Sequence, residues 1–157
     1  MLITSPVRAN AEMALSPNMQ AVLLSKILLY ERRFSRQDGV KVFVLGDPQI
    51  ALAFKQLIGK ESEHIQISQV KMGDTIPTEK FDVVYFNDKK YLTNAVAYGK
   101  EKGIVTVTGV PKFVEKGATL GTGTENGRPS FYLNLRTSFA TDLEWDQKVL
   151  NIVKIYR

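Results

Sequence analysis

The 157-residue chain is one-domain size and long enough to bury a hydrophobic core unaided. It has no cysteine and one histidine, His64, which excludes a disulfide framework, a thiolate metal site, a cysteine nucleophile and a zinc site built on histidines. The net charge of +5 is mixed with acids and its longest basic runs are the pairs Arg32-Arg33 and Lys89-Lys90, so it reads as a solvated surface and not as a nucleic-acid footprint; no apolar stretch reaches the ~18–20 residues of a membrane span.

In chain order, Ala9-Asn10-Ala11 before Glu12 fits the small-residue pattern cut by signal peptidase, but only Met1-Leu2-Ile3 stand where an apolar region belongs. Two readings of residues 1–15 stay open: a signal-peptide remnant or a disordered polar tail. Ser16-Pro17 then predicts a helix N-cap with proline in the first turn. Helical spacing of Leu23, Ile27, Tyr30 and Phe34 predicts one helix from Asn18 to Phe34, ended by Gln37-Asp38-Gly39. Val22, Leu24, Leu28 and Leu29 make it apolar on more than one stripe. Either neighbours bury it, or Leu24, Leu28 and Leu29 form a protein interface.

Val40 to Leu45 reads as a buried strand, and Gly46-Asp47-Pro48 turns into a helix whose stripe is Ala51, Phe54, Leu57 and Ile58. A second strand is predicted around Ile65, Ile67 and Val70, a third from Phe81 to Phe86, a helix from Lys89 to Lys102, and a fourth strand from Ile104 to Thr108. Gly109-Val110-Pro111 leads into a helical turn or two. Ala118 to Thr124 and Arg128 to Leu135 flank Asn126-Gly127, a strong hairpin signal, with Phe131, Leu133 and Leu135 on one face and Ser130, Tyr132 and Asn134 on the other. Asp146 caps a last helix with Val149, Leu150 and Val153 on its apolar side. The order predicts a three-layer, Rossmann-like α/β sandwich over residues 16–157, its sheet mainly parallel and extended by an antiparallel hairpin.

Ligands of such a sheet bind beyond the carboxyl ends of its parallel strands, here Gly46, Asp47, Asn87, Thr108 and Gly109. The competing reading makes Asp47 and Asn87 ordinary caps and turn formers. Gly121-Thr122-Gly123 does not open a helix, so it is read as strand positions near a bulge or a close contact and not as a phosphate loop. Asp82, Asp88, Asp142, Glu144 and Asp146 have no nucleophile to serve, and read as capping or solvated. A phosphoacceptor arrangement is partly met by Asp47 and Asp88, but the last parallel strand ends Thr108-Gly109-Val110 where a lysine is wanted. His64 is expected on the surface, and Trp145 is expected to pack the last helix on the sheet.

The run Ile104-Val-Thr-Val-Thr-Gly-Val-Pro-Lys-Phe-Val-Glu-Lys-Gly117 resembles the "vLTvtdvpgFae.GG" stretch of the YfiR family. Ala118 to Gly123, Gly127-Arg128-Pro129 and Phe131-Tyr-Leu-Asn-Leu135 are similar to its hairpin, and Leu143 to Lys154 to its end. The resemblance implies an exported, periplasmic domain without catalytic residues or cofactor. It also implies a partner, the periplasmic part of a membrane sensor or diguanylate cyclase, and a homodimer is compatible with it. Two departures matter: the family's cysteine pairs are absent, and Leu28-Leu-Tyr-Glu-Arg-Arg-Phe34 replaces its "nFakfveWP" opening. Redox switching is therefore not carried over, and the partner's identity stays open.

Overall fold

The computed structural model describes residues 14–60 and 63–157. Residues 1–13, which hold the Ala9-Asn10-Ala11 pattern, lie outside the described residues. Ser16 caps α1 (Pro17–Leu28) by accepting the Met19 N–H, with Pro17 in the first turn where its missing donor does no harm. A four-residue α2 (Arg32–Ser35) follows. The chain then runs β1 (Val40–Leu45), α3 (Pro48–Lys55), β2 (Ile67–Gly73), β3 (Val83–Phe86), a 3-10 turn at Lys89–Tyr91, α4 (Leu92–Lys102), β4 (Val105–Thr108) and α5 (Pro111–Glu115). It ends with β5 (Leu120–Glu125), β6 (Arg128–Asn134), α6 (Leu135–Ala140), α7 (Gln147–Leu150) and β7 (Val153–Tyr156).

The seven strands form one sheet in the order β2-β1-β3-β4-β5-β6-β7. The first five are parallel, β5 and β6 pair antiparallel, and β6 and β7 pair parallel. Both faces are covered, which is why the central strands β3 and β4 are buried throughout. On one face Ala21, Leu24 and Leu28 of α1, Ile50 and Phe54 of α3 and Val149 of α7 pack on Val42, Val44, Val83, Val105 and Leu133. On the other, Ala95 of α4 and Val114 of α5 pack on Phe43, Leu45, Val84, Phe86 and Tyr132. The hairpin turns at Asn126 and Gly127, both at positive φ (54° and 77°), the combination that a two-residue type I′ turn requires. A Cβ on Gly121 would lie 2.5 Å from Val114, and one on Gly123 2.7 Å from Pro111, so these glycines admit α5 close against β5.

Four expectations are corrected. The Asn18–Phe34 helix is broken: Glu31 is extended and forms an isolated bridge with Trp145. Val153 belongs to a strand and not to the last helix, because α7 is one turn long and the β-prone Val153-Lys-Ile-Tyr156 pairs with β6. Leu24 and Leu28 are fully buried and Leu29 packs partly on the same core, so the stripes of α1 serve burial and not an interface. His64 is buried, with Nδ1 2.7 Å from the Ile65 carbonyl. Trp145 packs on the core from the loop before α7 and gives its indole N–H to Ser138 Oγ at 3.1 Å.

Glu31 holds the break. It is 1% exposed. One carboxylate oxygen accepts the N–H groups of Arg33 (2.7 Å) and Phe34 (3.3 Å), and the other accepts that of Glu144 (2.8 Å). Backbone bonds from Arg32 N–H to the Glu144 carbonyl and from Asp146 N–H to the Tyr30 carbonyl, 2.9 Å each, complete the bridge. Arg33 bolts it to the sheet layer through the Gly103 and Thr141 carbonyls, both at 2.8 Å. Glu31→Ala removes a cap and leaves three backbone donors without their acceptor. It is expected to cost about 2–4 kcal/mol in urea unfolding, with Glu31→Gln in between because an amide returns one acceptor and turns a donor on Glu144 N–H.

Candidate functional site: the strand carboxyl ends

With strand order 2-1-3-4-5, connections leave β1 and β3 in opposite directions, so a crevice opens between their carboxyl ends. A cleft of about 400 Å³ lies there, lined by Leu45, Gly46, Asp47, Asn87, Asp88 and Lys89. Gly46 sits at φ 62° against the Tyr91 side chain, a position that admits no Cβ, and its N–H is bonded to the Gly73 carbonyl at 2.9 Å. Asp47 caps α3 through the Ile50 N–H at 3.2 Å, and Asp88 caps the 3-10 turn through the Lys90 N–H at 2.9 Å. These are the capping roles that the local sequence suggests, and both residues also line the cleft.

The cleft thus brings Gly46, Asp47 and Asn87 together, while Thr108 and Gly109 lie outside its lining, Gly109 bonded to the back of Asn87. Asn87 Oδ1 accepts the Gly109 N–H at 3.1 Å, and Thr108 Oγ1 accepts the Val110 N–H at 3.1 Å. Above them lies Gln20, 3% exposed, from the first turn of α1. Its carbonyl oxygen accepts the Tyr85 hydroxyl at 2.5 Å, and its amide donates to the Leu15 carbonyl at 2.8 Å. A Cβ on Gly109 would run into this carboxamide. Gln20 therefore fills the β3–β4 half of the crevice, and only the β1–β3 half is open.

Sequence reasoning missed Gln20 and Tyr85. The signal was present: Gln20 stands four residues before Leu24 and eight before Leu28, in the buried stripe of α1, where a polar side chain must find a partner. Tyr85 hides within the apolar run of β3. Burial pushes its phenol far above the ordinary value near 10; the Asp47 carboxylate adds to the rise and the Gly109 backbone opposes it. Of the remaining acids, Asp82 accepts the Lys41 N–H at 2.8 Å, Glu144 pairs with Arg32, and Asp146 caps α7. Among the described residues no group of three or more histidines and carboxylates is placed to hold a metal. β5, the last of the parallel set, carries no lysine, so the phosphoacceptor arrangement stays incomplete.

These features define a three-layer α/β domain with a shallow polar cleft at its switch point. The chain belongs to the YfiR/HmsC-like family (DUF4154), whose pattern it matches over residues 18–154. No curated protein matches it significantly. Solved structures share the fold, and two of them show the degree of likeness. One is a conserved domain protein from Vibrio cholerae O1 biovar El Tor, 16% identical, with a TM-score of 0.59 over 99% of this chain and 69% of that one. The other is an ABC domain in complex with L-Trp from Streptococcus pneumoniae, 9% identical, with a TM-score of 0.58 over 99% of this chain and 70% of that one. At such identities the likeness is one of fold. Among the described residues no helix is long and apolar enough to cross a membrane.

Tyr85 gives a pH prediction. Its phenol is held neutral in the native state, whereas in the unfolded chain it ionises near pH 10, so above that pH the native state binds more protons and stability falls as pH rises. In denaturant melts from pH 8 upward, Tyr85→Phe is expected to lose about 1 kcal/mol at pH 8 by leaving Gln20 Oε1 unpaired. Above pH 10 its curve should be flatter than the wild type's by up to about 1.4 kcal/mol per pH unit.

Proposed function

We propose that the chain is a non-enzymatic periplasmic regulatory protein that binds and modulates a membrane-bound signalling protein, such as a diguanylate cyclase or a sensor kinase. The observation that carries the reading is membership of the YfiR/HmsC-like family over nearly the whole domain. The strand-end geometry agrees with it: Asp47, Asp88, Asn87 and Thr108 all bond backbone N–H groups, as scaffold residues do. Regulation follows from differential affinity. A bound regulator shifts the sensor towards whichever state it binds more tightly, and its release returns the equilibrium.

The test is co-purification of the chain with a membrane sensor from its native cell, paired with intracellular cyclic di-GMP in a deletion strain. Binding together with a changed nucleotide level is expected; no binding and an unchanged level removes the reading.

A second reading, a small-molecule-binding module, draws on the cleft at the β1–β3 switch point. Under it, a metabolite screen yields a compound that raises the melting temperature of the native protein, and Lys89→Ala, on the cleft wall, reduces that rise. A flat screen across polar metabolites counts against it.

A further inference from the structure

We propose that a closed binding site for a small molecule bearing a neutral carboxamide lies beneath the first turn of α1, and that the Gln20 side chain is its resident occupant. The site is separate from the open β1–β3 cleft and does not rest on the regulatory reading above. Two independent observations carry it. A carboxamide already occupies the position, and beside it a buried hydroxyl is left without a partner.

The first observation is the fit of the occupant. Gln20 reaches down from α1, and its carbonyl oxygen accepts the hydroxyl of Tyr85, a phenol wholly buried in the sheet. Gly109 makes the room, since a Cβ there would lie 2.3 Å from the Gln20 oxygen. The sheet thus supplies both a donor and a space of carboxamide size. Charge favours a neutral group. The Asp47 carboxylate acts on Tyr85, so an anion in the same place would be repelled, whereas an amide offers the acceptor without the charge.

The second observation is Thr122. A Cβ on Gly121 would meet Val114 of α5, so the next residue, Thr122, points to the opposite face, where α1 lies against β5. β4 and β5 pair Thr108 with Gly121, and one step on, Gly109 and Thr122 stand side by side. The Gln20 carboxamide and the Thr122 hydroxyl therefore share one corner of the sheet. Thr122 is fully buried, and its Oγ1 has no hydrogen-bond partner among the described residues. Buried hydroxyls are seldom left unmet. Gln20, tethered to the helix, answers Tyr85 and leaves Thr122 unanswered. A free carboxamide has no such tether: its oxygen takes the Tyr85 hydroxyl and its NH2 group turns to Thr122 Oγ1.

The probe is acetamide at up to about 100 mM, with acetate as its charged counterpart. Melting temperatures are measured for the full chain, Gln20→Ala, Thr122→Val and the double variant. Acetamide is expected to raise that of Gln20→Ala by about 1–3 °C, and acetate to leave it unchanged. Thr122→Val should be at least as stable as the wild type without probe, because its hydroxyl has no bond to lose. In the Gln20→Ala background the same change should at least halve the acetamide shift. In the wild type, the Gln20 N–H is bonded to the Ser16 carbonyl at 2.9 Å. Acetamide, and not acetate, should speed hydrogen exchange at Gln20 and Ala21 relative to the second half of α1, as the incoming amide lifts the turn. A Gln20→Ala response that ignores Thr122→Val shows that the side chain only fills a gap, and overturns the proposal. A wild-type first turn that acetamide leaves unmoved overturns it as well, and that measurement decides alone if Gln20→Ala does not fold.

Discussion

A buried carboxylate organises this fold. Glu31 could have continued the first helix; instead it is extended, and its side chain accepts three backbone N–H groups from two distant parts of the chain. Carboxylate-to-amide bonds are stronger than neutral ones, and with the attraction of the nearby Arg32 guanidinium they offset the cost of burying the charge. Closing the bridge brings the loop of residues 142–146 against the end of α1. From there α7 and β7 return to the far edge of the sheet, where β7 pairs with β6. The end of α1 and the segment that leads into the edge strand are thus tied together by this side chain and the backbone bridge beside it.

Much of the architecture could be read because it is local. Val40 to Leu45, Phe81 to Phe86 and Ile104 to Thr108 are short, predominantly apolar and β-branched runs, as strands buried on both faces tend to be. Asp47-Pro48 and Asn126-Gly127 mark a helix start and a hairpin because cap and turn chemistry act within a few residues. Gly121 and Gly123 were expected at a close contact, and α5 makes that contact.

The rest was hidden because its partners are remote. Helical spacing carries through Leu29 and Tyr30, so nothing local announces the break; the reason for it lies at Glu144, more than a hundred residues on. The apolar excess of α1 suggested an interface, but helix spacing cannot tell how many neighbours a helix has, and α1 has both the sheet and α3. His64 stands in a polar stretch and is nevertheless buried, because the Ile65 N–H bonds the Ser25 carbonyl and draws the segment onto α1. In the candidate site, Asp47 and Asn87 follow from the rule for parallel sheets, whereas Gln20 arrives from a helix that the rule ignores.

Gln20 changes what the strand-end pole can do. To reach Tyr85 and Gly109, a ligand must first lift the opening turn of α1. That breaks the bonds to Tyr85 and Leu15, worth about 1 kcal/mol each in net terms, and uncovers a buried phenol. Binding there would therefore be coupled to the position of α1, whereas the β1–β3 half, bordered by Gly46 and Asp88, is open without any such movement. α1 ends at a groove lined by Tyr30 and Arg36, so the helix that closes one pole also supplies the wall of the other. A single rigid element spanning both poles is the kind of physical connection through which occupancy at one end can alter the surface at the other, provided that the helix has two positions of comparable energy.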